Sequence, residues 1–147
     1  MAKTNNFFSE AEKLVIINVI KSAESFTSGE IKVHLEEKCG DDVLKRAREL
    51  FHQLKMDDTL LKNGVLIYLA VKDKKFAIIG DVGINSLVPE NFWDAIKSRM
   101  ELEFSTGNFL NGIVYAIEQA GEQLRTYFPF RDDDINELSD EISFGDD

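Results

Sequence analysis

Cysteine is almost absent: Cys39 is the only one in 147 residues, so no internal disulfide and no Cys-rich zinc module is available. Histidine is nearly as scarce, and His34 and His52 are too few to dominate a zinc site. With two prolines and nine glycines, the chain is neither collagen-like nor a Pro/Gly-rich low-complexity polymer. No stretch approaches the ~20 apolar residues of a membrane-spanning helix. Residues 1–6 are polar and Asn18 interrupts the apolar run 14–20, which is no secretory signal pattern. These absences lead us to expect a cytoplasmic protein with no direct membrane insertion. Also missing is a basic stripe of the kind that tracks a phosphate backbone, so we expect no nucleic-acid partner.

Acid, by contrast, is abundant and unevenly placed. The formal net charge is −10, yet residues 132–147 hold eight of the 27 acids and no base. The remainder, 1–131, carries 19 acids against 17 bases and is nearly neutral. At this length one domain is the natural reading, large enough to bury about 70% of its unfolded surface. We therefore divide the chain into an α/β domain over 1–131 and an acidic C-terminal tail over 132–147.

Hydrophobic periodicity orders the domain. Ser9 with Glu12 three residues on is a capping box, opening a helix through Leu14, Ile17, Ile20 and Ala23. Ile31, Val33 and Leu35 alternate with Glu30, Lys32, His34 and Glu36, the period of a strand with one apolar and one polar face. Asp41 and Asp42 suit a helix start, and Val43, Ala47, Leu50 and Leu54 share one helical face. The run 65–71 is apolar throughout, as in a strand buried on both faces. A charged turn, 72–75, returns it into 76–79 as a hairpin. Pro89 suits a first helical turn, ahead of Phe92, Trp93, Ile96 and Met100. A last helix spans about 109–127, burying Ile113, Ile117 and Leu124, with Gly112 and Gly121 as points of close packing. Helix, strand, helix, two strands and two helices make a three-layer α/β/α sandwich around a small mixed sheet. The first two strands are expected to be parallel and the third antiparallel to the second.

That topology gathers scattered polar residues. The start of the first strand, the start of the second and the end of the third share one sheet edge, bringing Glu30, Asn63 and Asp81 together. Asp57, Asp58 and Thr59 arrive in the preceding loop, and Asn85 follows Gly83. Hard oxygen donors of this kind suit Ca²⁺ or Mg²⁺. The same residues are also ordinary turn and cap formers. The opposite edge, with Glu36, Glu37, Cys39 and the Lys72 turn, ranks second, although open α/β sheets usually bind ligands at that end. There is no phosphate loop and no nucleophile elbow. Cys39 has no activating histidine nearby in sequence, and His34 and His52 read as structural or solvated. In the tail, Asp132, Asp134 and Asn136 match the first ligands of a calcium loop, but Glu137 and Ser143 stand where its glycine and closing glutamate belong. The apolar tail residues Ile135, Leu138, Ile142 and Phe144 call for a surface to dock on, either a partner protein or the Lys72-Lys74-Lys75 turn of this chain.

The run 63–68 (Asn-Gly-Val-Leu-Ile-Tyr), with the strand and turn 76–83, resembles the TPM domain family. The segment 29–34, the Phe92-Trp93 helix and the closing 136–143 are similar to its short, stand-alone bacterial branch. The resemblance covers about 9–128 and implies a mixed sheet between helices. It also implies divalent-cation binding, reported for several members, and an acid-phosphatase activity described for thylakoid relatives linked to photosystem repair. Many members are exported and membrane-anchored. Members often carry aspartate before the Asn-Gly pair, where this chain has Lys62, and glutamate after the glycine turn, where it has Asn85.

Two functions follow as expectations. The first is a divalent-cation-binding accessory or scaffold module, with Glu30, Asp57, Asp58, Asn63, Asp81 and Asn85 as metal residues and no catalytic residue. The second is a metal-assisted phosphatase with Asp81 as nucleophile or ligand and Glu30 as base. In either case the acidic tail is the candidate handle for a protein partner.

Overall fold

A computed structural model describes residues 6–130 and 142–145. Helix α1 (Glu10–Glu24) opens with the expected capping box: the Glu12 N–H donates to Ser9 Oγ over 3.1 Å, and the Ser9 N–H to Glu12 Oε1 over 2.9 Å. Strand β1 (Glu30–Glu36) follows, then α2 (Val43–Gln53), capped by the Asp42 carboxylate. A single 3₁₀ turn, Met56–Asp58, leads to β2 (Gly64–Ala70) and β3 (Lys75–Gly80). The chain continues through α3 (Val82–Asn85), α4 (Phe92–Ser105) and α5 (Phe109–Tyr127), and ends in β4 (Ser143–Phe144).

The sheet order is β3-β2-β1-β4. β1 is parallel to β2 and β2 antiparallel to β3, as expected from the connections. Every residue of β2 is buried, because helices cover both faces. On one face Ile31, Val33, Leu35, Val65, Ile67 and Ile78 pack with α1, α4 and α5. On the other, Leu66, Tyr68 and Ala77 pack with Ala47, Leu50 and Phe51 of α2 and with Met56. Gly112 and Gly121 let α5 close on its neighbours: a Cβ at Gly112 would stand 2.3 Å from the Phe104 ring, and one at Gly121 2.9 Å from the Ala23 methyl.

Three elements escape the periodicity: the 3₁₀ turn, α3 and β4. Each is too short to show a repeat. The polar face of β1 is also not solvated, since Glu30, His34 and Glu36 are 2%, 3% and 4% exposed. Sandwiched between β2 and β4 and facing α2, that face is an interior one. Among the described residues no helix is long and apolar enough to cross a membrane. The calcium-like run Asp132-Asp134-Asn136, and the tail residues Ile135 and Leu138, lie outside the described residues.

Candidate functional site

The expected edge forms because backbone pairing brings its three strand ends into line. Glu30 lies opposite Gly64, and Val65 opposite Gly80. The Glu30 N–H donates to the Asn63 carbonyl over 3.4 Å, and the Asp81 N–H to the Gly64 carbonyl over 2.9 Å. The loop between α2 and β2 is then folded onto α3. A Cβ at Gly83 would stand 2.3 Å from both the Leu61 and Lys62 carbonyl oxygens, so only glycine permits this approach. Lys55 and Lys62, at φ 59° and 54°, turn the loop through left-handed backbone at its two ends.

The polar atoms at this edge are incompletely satisfied. Asp81 caps α3 with Oδ1, accepting from the Val82 N–H over 2.7 Å, while its Oδ2 is shielded and has no hydrogen-bond partner. Asp57 Oδ2 accepts from His52 Nδ1 over 2.8 Å, and its shielded Oδ1 also has no partner. Thr59 Oγ1 and Asn63 Nδ2 share that condition, in residues only 2% and 1% exposed. A half-turn of the Asn63 amide exchanges that nitrogen for its oxygen. Four orphaned polar atoms at one edge is unusual, because buried polar groups are nearly always paired. The His52 hydrogen bond holds the Asp57 carboxyl below its ordinary range and raises the His52 ring. The Lys62 ammonium donates to the Asp57 backbone carbonyl, placing a positive charge beside the loop.

The other expected ligands are placed differently. Glu30 is buried at the start of β1. Asp58 is exposed on the 3₁₀ turn. Asn85 uses its amide locally: Nδ2 donates to the Gly80 carbonyl over 2.8 Å, and Oδ1 accepts from Trp93 Nε1 over 2.8 Å. Among the described residues no three His, Cys, Asp or Glu side chains form a metal-holding group. A hard cation here would thus rest on the two carboxylates Asp57 and Asp81, aided by the Thr59 hydroxyl and the Asn63 amide. That donor set suits Ca²⁺ or Mg²⁺, both of which accept neutral oxygens and water.

The opposite edge holds a polar cluster that periodicity alone did not reveal. Arg46 of α2 clamps Glu36 with Nε at 2.7 Å and an η-nitrogen at 2.9 Å, and the Tyr68 hydroxyl donates to it over 2.5 Å. Burial pushes the Glu36 carboxyl up, but the hydrogen bonds from Arg46 and Tyr68 outweigh it and leave it below its ordinary value. Burial, then the bond to Glu36, raises the Tyr68 hydroxyl. His34 Nε2 stands 3.6 Å from Glu36 Oε1, and Nδ1 hydrogen-bonds Ser143 Oγ at 2.8 Å. The available signal was register: once β1 and β2 are parallel, Tyr68 lies opposite His34 on the same face as Glu36. Burial and the neighbouring Asp73 carboxylate push the Cys39 thiol up, as in an inert cysteine. Residues 142–145 pair along the outer edge of β1, not at the Lys72-Lys74-Lys75 turn, which joins β2 to β3 across the sheet.

Comparison with known proteins places this geometry in context. The profile of the family described as the TPM domain matches residues 1–123. The solution structure of BA42, from the psychrophilic bacterium Bizionia argentinensis, is 50% identical and covers 99% of this chain and 100% of its own, with a TM-score of 0.88. The N-terminal domain of a Porphyromonas gingivalis protein ("P.gingivalis") is 19% identical over 82% of this chain and 78% of its own, with a TM-score of 0.65. That of cg2496 from Corynebacterium glutamicum is 14% identical over 81% and 75%, with a TM-score of 0.63. These two share the fold. Comparison with curated proteins finds no significant match.

Proposed function

The chain belongs to the TPM domain family, and from that premise we propose that it is a divalent-cation-binding accessory or scaffold module of the cytoplasm. The observation that carries this reading is the set of orphaned atoms, Asp57 Oδ1, Thr59 Oγ1, Asn63 Nδ2 and Asp81 Oδ2, at one sheet edge. Leaving the buried Thr59 and Asn63 atoms unpaired costs about 1–3 kcal/mol each. A bound Ca²⁺ or Mg²⁺ with its waters removes that cost and neutralises two carboxylates. Asp57 and Asp81 serve as charged ligands, Thr59 and Asn63 as neutral ones, and Glu30, Asp58 and Asn85 flank them. The acidic stretch 132–147 serves as a handle for a protein partner.

The phosphatase reading has no observation of its own. Its nucleophile candidate, Asp81, is committed through Oδ1 to capping α3, and its base candidate, Glu30, is buried. Hydrolysis needs a positioned base or nucleophile within reach of substrate.

The test is a titration of the full chain with Ca²⁺ and with Mg²⁺, followed by backbone amide shifts. Changes are expected at 57–64 and 80–85. Changes confined to 132–147 would move the site to the tail, and no change with either ion would overturn the reading.

A further inference from the structure

The outer edge of β1, where β4 lies, carries a recognition pattern that cation binding does not use. β4 pairs with it through only two residues, Ser143 opposite His34 and Phe144 opposite Leu35. Even so, each residue of 142–145 is held by a separate device. Ile142 is 8% exposed and belongs to the main core. Ser143 Oγ bonds His34 Nδ1 at 2.8 Å. The Phe144 ring packs against that core, with the Lys13 ammonium 5.6 Å from its centroid. The Gly145 N–H donates to the Leu35 carbonyl over 2.7 Å, and a Cβ on Gly145 would stand 2.5 Å from Glu36 Cβ, so no larger residue fits. Main-chain pairing sets the register, and alternate side chains enter opposite faces. This is how a sheet edge reads an added strand.

His34 makes that reading depend on protonation. Its Nε2 is buried with no hydrogen bond. The groups facing the ring are Lys32 and Glu36 on β1, Arg46 on α2, Tyr68 on β2 and Ser143 on β4. Burial holds the ring below its ordinary pKa; Glu36 opposes that, and Arg46 and Lys32 reinforce it. β4 is part of the burial, so a strand bound there favours the neutral ring. Binding strength is then fully present above the ordinary histidine value of about 6.5 and is lost as pH falls through the lowered one.

We propose that the outer edge of β1 is a strand-accepting site for an extended aliphatic–serine–aromatic–glycine segment. Residues 142–145 of the same chain fill it, and acid empties it through His34.

The probe is a synthetic peptide with the sequence of residues 141–147, added to the full chain carrying Gly145→Val, which evicts the cis segment. Amide shifts at 33–36 are expected at pH 7.5, at a peptide concentration about tenfold lower than wild type requires, because wild type supplies its own competitor. A peptide carrying Gly145→Val is expected not to bind. Affinity should fall as pH is lowered from 7.5 to 5.5, because the buried neutral ring resists protonation. In His34→Asn, which keeps a neutral polar group near the Nδ1 position, it should stay flat. If Gly145→Val loses its amide dispersion, wild type challenged with excess peptide asks the same question through exchange broadening at 33–36. No effect at 33–36, equal binding of the valine peptide, or a pH-independent affinity in the chain that retains His34 would each overturn the proposal.

Discussion

Gly83→Ala tests the contact that builds the candidate site. The added methyl would lie 2.3 Å from two backbone carbonyl oxygens, those of Leu61 and Lys62, and 2.8 Å from the Lys62 carbonyl carbon. Backbone has no rotamer to turn away, so the 59–63 loop must move off α3. Overpacking of this kind costs about 1–3 kcal/mol. Alanine returns up to about 1 kcal/mol of helix propensity, so the net loss is about 1–2 kcal/mol. For a domain of this size that lowers the thermal midpoint by about 2–8 °C. Because Asp81 sits at the start of the same short helix, the shift also separates it from Asp57, Thr59 and Asn63. The assay pairs a thermal melt with amide shifts and a Ca²⁺ titration. Gly40→Ala is the control. At φ 80° with open space around it, it pays backbone strain but leaves the loop in place. Gly83→Ala is expected to shift 59–63 and lose the cation response, and Gly40→Ala to keep both native. A Gly83→Ala chain that melts at or above wild type with 59–63 unshifted would refute the reasoning.

Other perturbations separate the parts. Asp81→Asn retains the cap on the Val82 N–H but removes the charge. With Ca²⁺ at about 100-fold over its dissociation constant, wild type gains about 2.7 kcal/mol, or about 5–10 °C, and the variant should lose most of that rise in a melt. Lys62→Gln removes a cation beside the proposed site; relief of about 1 kcal/mol should tighten Ca²⁺ roughly fivefold by calorimetry, and weaker binding would argue against that charge opposing the metal. Tyr68→Phe deletes a buried hydrogen bond to Glu36, costing about 1.5–3 kcal/mol at neutral pH. Glu36 is held below its ordinary value, so its contribution is present above about 4.5 and lost as pH falls through the lowered one. With less lowering, the Tyr68→Phe chain should unfold at a higher pH in an acid titration, and an unchanged acid midpoint would contradict this role for Tyr68.

Much of the architecture is a consequence of local sequence. The Ser9-Glu12 box, the alternation over 30–36 and the unbroken apolar run 65–71 each specify an element through a period or a cap that does not depend on the rest of the chain. Connection rules then set the strand directions, and with them the edge where Glu30, Asn63 and Asp81 meet. Tertiary structure decided which polar groups stayed unpaired there. The pattern proposes Asn85 and Asp81 equally, but the packing of Trp93 engages the amide of Asn85, whereas Asp81 keeps one shielded oxygen free. It also decided that the polar face of β1 is interior, because alternation reports two faces but not what covers them. Arg46 comes from α2, ten residues on, and Ser143 from a strand 109 residues away. Pairings at that range leave no period in the sequence. They arise only when the chain closes, and there the burial of Glu36 and His34 turns ordinary surface residues into a buried charge cluster.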